Sequence, residues 1–170
     1  MKTALILIDI QEALVTSSPY NLEEFIETVN ASLALAKENG WEVICLRHCD
    51  AELVPGSEAW QVSTRLNLPD RVKYLDKEFN SIFKETSLAD YLGQHSITRL
   101  VLVGMQTEYC IDTSCKVAFE LGYEVVIPRQ GHTTFSTEHL SAKQIIEHYQ
   151  TIWDGRFARL VSLEDLQRLN

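Results

Sequence analysis

A chain of 170 residues, 45% apolar and 23% charged, is long enough to build one hydrophobic core and short for two. None of its apolar runs approaches the roughly 18 residues of a membrane span, and a formal net charge of −9 repels phosphate backbones and anionic lipid, so nucleic acid and membrane are not expected partners. The cysteines at positions 45, 49, 110 and 115 follow no secretory leader pattern, which reads as reduced thiols in a cytoplasmic protein, and their spacing is a poor match to a zinc site.

In chain order, Ala4 to Ile8 is an aliphatic run ending abruptly on Asp9, as a strand buried on both faces should be. After the turn-prone Thr16 to Pro19, Asn21 with Glu24 makes a capping pair, and Leu22, Phe25, Ile26, Val29, Leu33 and Ala36 trace one helical face to Gly40. Trp41 to Leu46 is the second strand, so the opening demands a right-handed parallel crossover. His48 to Asp70 has no sustained period, and loops of that length in compact domains are often functional. Val72 to Leu75 predicts a short third strand, with Asp76, Lys77 and Glu78 directly behind it, and Ser87 with Asp90 predicts the start of a helix.

Leu100 to Val103 is a continuous buried-strand run, after which Ile111, Ser114, Cys115, Ala118 and Leu121 recur at helical spacing and Gly122 closes the helix. Glu124 to Ile127 reads as a strand, Glu138 to Tyr149 as a helix, Ala158 to Val161 as a last strand, and Ser162 as a helix start. The alternation predicts one α/β domain over the whole chain, with about six mostly parallel strands and helices on both faces.

In such sheets ligands bind beyond the carboxyl ends of the strands, where the strand order reverses. Asp9, Lys77 and Cys110 each follow such an end. At a strand-to-helix turn, unpaired amides and the helix dipole favour a thiolate over a thiol, and the same amides can hold an oxyanion. Each residue has a plainer reading: Asp9 as a turn cap, Lys77 as a solvated charge, Cys110 as core packing. A carboxylate against a core nevertheless requires a cationic or hydrogen-bonding partner. Together the three make a device in which the carboxylate takes the thiol proton and the lysine holds the charge. The turn from Asp9 to Pro19 contains no glycine, so it offers no phosphate loop.

Four segments in order, Leu7-Ile8-Asp9-Ile10-Gln11, Pro55-Gly56-Ser57-Glu58-Ala59-Trp60, Lys77-Glu78-Phe79-Asn80-Ser81-Ile82-Phe83 and Gly104-Met105-Gln106-Thr107-Glu108-Tyr109-Cys110, resemble the isochorismatase-like cysteine hydrolases. The resemblance implies a Rossmann-like three-layer α/β/α sandwich of strand order 3-2-1-4-5-6 and a catalytic triad of Asp9, Lys77 and Cys110. It also implies a cis peptide between Met105 and Gln106, aiming the amides of Gln106 and Cys110 at an oxyanion, and a homo-oligomer, dimer or tetramer. The activity implied is hydrolysis of a small-molecule amide or lactam C–N bond through a thioester. Two alternatives are hydrolysis of an isochorismate-type vinyl ether and a catalytically inactive interaction module on the same fold.

Nicotinamidases in this group bind a metal through an Asp-x-His pair and a further histidine; here the corresponding stretch reads His48-Cys49-Asp50, so neither metal nor other cofactor is expected. The stretch from Gln106 to Thr113 looks more like the uncharacterised cysteine hydrolases near streptothricin hydrolase. Gln11, His48, Trp60, Tyr109 and Phe135 are the expected pocket wall.

Overall fold

The computed structural model describes residues 1–169. Its centre is β1 (Thr3–Ile8), buried at every position. Leu5, Ile6, Leu7 and Ile8 are wholly shielded from solvent, and burying each such side chain is worth about 1.5–3 kcal/mol, which makes this segment the sheet's natural middle. β2 (Glu42–His48) and β4 (Arg99–Met105) flank it, β3 (Lys73–Lys77) lies outside β2, and β5 (Glu124–Pro128) and then β7 (Arg159–Val161) lie outside β4. The order β3-β2-β1-β4-β5-β7 is all parallel. The expected order is therefore found, and the two-residue strand β6 (His132–Thr133), which pairs with the end of β4, is an addition.

Side chains alternate across the strands, so two separate cores form. Ala4, Ile6, Ile8, Ile44, Leu46, Leu100 and Leu102 pack on one face with α3 (Leu88–Gln94), α4 (Asp112–Glu120) and α5 (Ala142–Trp153). Leu5, Leu7, Val43, Cys45, Val101 and Val103 pack on the other with α2 (Leu22–Asn39) and α6 (Leu163–Gln167). This is the three-layer α/β/α sandwich.

Several local expectations shift. The helix expected from Glu138 starts four residues later, because Ser141 accepts from the Gln144 amide and Gln144 answers through the Ser141 amide, a full capping box. Asn21 sits at φ 52° and spends its side chain on the Glu24 carboxylate rather than on a helix amide. Ser87 likewise makes no capping bond. β3 runs on to Lys77, so that residue ends the strand instead of following it. A short helix α1 (Glu12–Thr16), invisible as a period because it is only five residues long, follows β1.

One glycine sets how closely the central strands approach. Gly104 lies opposite Ile8 in the ladder, at φ 139°, and a Cβ there would stand 2.0 Å from the Ile8 carbonyl oxygen. Only glycine leaves room for the two strand ends that carry Asp9 and, a turn later, Cys110. No described helix is long and apolar enough to cross a membrane.

Candidate active site

At the end of β1 the chain turns sharply: Asp9 adopts φ 54° and donates its amide to the Leu46 carbonyl at 3.0 Å. Left-handed backbone costs on the order of 1 kcal/mol for a side-chain-bearing residue, least for Asn and Asp. The turn leaves the Asp9 carboxylate almost fully buried, 2% exposed. Parallel register pairs His48 on β2 with Lys77 on β3, so both side chains arrive beside it.

The Lys77 ammonium is the hub. It donates to Asp9 Oδ2 at 2.8 Å and to the Phe79 carbonyl at 3.1 Å, and lies 3.2 Å from His48 Nδ1 and 3.3 Å from Cys110 Sγ. An ammonium has three protons, so with two committed to oxygen, the imidazole and the sulfur share the third. Facing a cation, His48 Nδ1 is an acceptor, and the ring proton sits on Nε2, 3.6 Å from the Asp50 carboxylate. The other oxygen of the catalytic-type pair, Asp9 Oδ1, has no hydrogen-bond partner among the described residues.

Cys110 rides on a five-residue π-helical turn, Thr107–Ile111, which precedes α4. Inserted π turns recur at functional sites. The peptide before it, Met105 to Gln106, is cis. Burial, then the negative charge of Asp9, push the Cys110 thiol up to about 12, against the lowering pull of Lys77. Where a helix start led to the expectation of a lowered thiol, the direction is the opposite, because burial and the charge of Asp9 outweigh the pull of Lys77 and of the turn's dipole.

Behind the turn lies a buried relay that sequence reasoning missed. The Gln150 amide donates to the Arg129 carbonyl at 2.7 Å and lies 3.0 Å from His132 Nε2. That nitrogen is therefore the acceptor, and Nδ1–H points at Thr107 Oγ1, 2.8 Å away. Complete burial holds His132 down at about 3, so it is a neutral brace for the cysteine's turn.

A cavity of about 300 Å³ opens over Asp9 and Cys110; His48 and Tyr109, two of the five expected wall residues, line it, together with Gln106 of the expected oxyanion hole. Three expected wall residues stand elsewhere. Gln11 is wholly buried and acts as a strap: it donates to the His48 and Trp60 carbonyls at 3.0 and 2.9 Å and accepts from the His48 amide at 2.8 Å. Trp60 turns its indole N–H to Cys49 Sγ at 3.3 Å and lies under the Arg47 guanidinium at 3.8 Å. Phe135 is half-buried outside the cavity. In their place Leu14, Leu53, Met105, Asn80, Asp50 and Glu52 line it. Asn80 is the partner of the thiol, with Oδ1 3.7 Å from Cys110 Sγ, and it falls within the segment already singled out behind Lys77.

Asp9, His48 and Cys110 have ligand-type atoms within 4.8 Å of one another. The Lys77 ammonium already stands 2.8, 3.2 and 3.3 Å from them, in the place a metal ion would take. These residues therefore do not fit a metal.

The model of the isochorismatase domain matches residues 3–165. This chain belongs to the isochorismatase family. An isochorismatase family protein of known structure superimposes with a TM-score of 0.90 at 32% identity, covering 94% of this chain and 98% of the other. The uncharacterised isochorismatase family protein YrdC of Bacillus subtilis (strain 168) is 27% identical over 132 residues, 74% of this chain and 71% of the relative. Streptothricin hydrolase of Streptomyces noursei is 27% identical over 140 residues, 78% of this chain but only 50% of that relative's length. The chain is thus an isochorismatase-family hydrolase, and its candidate site lies where the order of a parallel sheet reverses between β1 and β4.

Proposed function

We propose that this isochorismatase-family hydrolase cleaves an amide or lactam C–N bond of a small molecule through a thioester on Cys110. The observation that carries the reading is the division of labour on Asp9: Oδ2 is held by Lys77 at 2.8 Å, while Oδ1 is buried without a partner. An unpartnered carboxylate oxygen near a neutral thiol is a general base waiting for a proton. The S–H proton passes to Asp9 as sulfur attacks the carbonyl carbon, and the oxyanion is met by the amides of Gln106 and Cys110. Asp9 returns the proton to the leaving nitrogen, which departs as an amine. Water then gives a proton to Asp9 and its oxygen to the acyl carbon, and the thiol is regenerated as the carboxylic acid leaves. Lys77 balances the charge on Asp9 before the transfer and on sulfur during it.

Turnover of a panel of small amides and lactams tests the proposal, read by amine release and by the mass of an acyl-enzyme trapped on acid quench. Expected is an acyl adduct on the peptide carrying Cys110, no turnover by Cys110→Ala, and a loss of at least about a hundredfold in kcat for Asp9→Asn. Turnover that survives Cys110→Ala overturns it.

A further inference from the structure

The cavity over Cys110 is one-sided in charge. Asp9, Asp50 and Glu52 line it, and among the described residues no lysine or arginine does. Asp9 is offset by Lys77 at 2.8 Å, whose side chain is entirely buried beneath the floor. Neither Asp50 nor Glu52 is paired with a lysine or arginine among the described residues. Glu52 stands exposed at the mouth.

Asp50 is not a loose surface acid. Its Oδ1 accepts the Leu53 amide at 2.7 Å and the Glu52 amide at 2.8 Å, which fixes the carboxylate in place. Those bonds, that of Leu53 foremost, hold its carboxyl below the usual range and so ionised at neutral pH. The one polar ring near its other oxygen, His48, is 3.6 Å away, a long contact that leaves Oδ2 free to meet a donor. An independent observation also points to a bound donor: Asp9, 2% exposed, lines the same space, and its Oδ1 has no hydrogen-bond partner among the described residues. A substrate N–H at the leaving nitrogen would supply that bond. Leu14, Leu53, Met105 and Tyr109 give the same lining an apolar portion, which suits a short hydrocarbon spacer.

From this arrangement we infer that the substrate carries a cationic group, an ammonium or a guanidinium, which seats against Asp50 and Glu52 while its scissile carbonyl lies over Cys110. The carbonyl's placement rests on the cysteine-hydrolase reading; the charge preference does not. A carboxylate-bearing substrate would instead meet like charge at the mouth, with a chain of net charge −9 behind it.

The test needs no substrate. Alkylation of Cys110 is followed by peptide mapping with 2-bromoethylamine (cationic), iodoacetamide (neutral) and iodoacetate (anionic). Each rate is divided by that reagent's rate with 2-mercaptoethanol at the same pH and low salt. The expected order is cation, neutral, anion, with a cation-to-anion ratio of about tenfold or more. In the double variant Asp50→Asn, Glu52→Gln the ratio should fall close to one; Asn keeps the oxygen that accepts from the Glu52 and Leu53 amides, so the turn survives. A wild-type ratio at or below one overturns the inference, and so does a ratio that the double variant leaves unchanged. Should the double variant not fold, Glu52→Gln alone, at an exposed position, must lower the ratio at least about twofold, and no change there overturns the inference equally. Lack of amide turnover would leave these rates standing, and lack of charge preference would leave turnover standing, so the two readings fail separately.

Discussion

Replacing Asp9 by Asn should make Cys110 more reactive towards alkylation while abolishing hydrolysis. In the wild-type site the negative Asp9 and the positive Lys77 pull the thiol in opposite directions, and burial decides the outcome at about 12. Asn tolerates the left-handed backbone that Asp9 occupies at φ 54°, so the turn is kept and only the charge is lost. Lys77 then faces the sulfur unopposed from 3.3 Å. What the substitution removes is the repulsion from Asp9, a carboxylate oxygen of which lies within 4.8 Å of the sulfur; at an effective dielectric of about 20 one unit charge at that distance is worth roughly 3.5 kcal/mol, or about two and a half decades in the thiolate fraction. Part of that is lost as water enters, and a gain of about a hundredfold in the rate of iodoacetamide labelling at pH 7 remains. The assay is peptide mapping by mass spectrometry, with buried Cys45 and Cys115 as internal standards of shielded thiols. Labelling of Asp9→Asn as slow as wild type, or slower, would refute the opposing-charge account.

Further outcomes follow from other parts of the molecule. His132 is neutral when folded, held at about 3 against 6.5 for the free group, so the unfolded chain binds the extra proton as pH falls. Its contribution is nil above pH 6.5 and becomes a penalty of about 1.4 kcal/mol per unit below it; urea midpoints at pH 7 and pH 5 should fall further in wild type than in His132→Gln. Gly104→Ala puts a methyl 2.0 Å from the Ile8 carbonyl oxygen, and soluble protein with an unchanged melting temperature would contradict the close approach of β1 and β4. Exhaustive chelation should leave turnover intact, because Lys77 occupies the cation position among Asp9, His48 and Cys110; activity lost to chelator and restored by zinc would show otherwise.

The strands were legible because parallel strands buried on both faces read as unbroken apolar runs, and their carboxyl ends pointed to Asp9, Lys77 and Cys110. The walls were not, because they depend on directions that no local period carries. Gln11 reaches a carbonyl 49 residues away, and it helps to tie down the loop after His48, of which Asp50 and Glu52 rather than Trp60 line the cavity. His132 was hidden for a related reason: a two-residue strand has no period, and its value lies in partners on α5 and the π turn. The expected thiolate failed because helix position is readable from sequence whereas the depth of burial beneath a cavity floor is not.

The surplus of acceptors around Lys77 has a mechanical consequence. An acylated sulfur is a poor acceptor, so in the proposed cycle the shared proton swings wholly to His48 when the thioester forms and back when it is hydrolysed. The ammonium works as a rotor about its terminal carbon–nitrogen bond, the softest torsion in the site. Charge can be re-aimed from sulfur to imidazole by a turn of one small group, with the sheet, the π turn and the strap of Gln11 all at rest. In the proposed cycle, then, nothing larger than that one group need turn to keep step with the chemistry at sulfur.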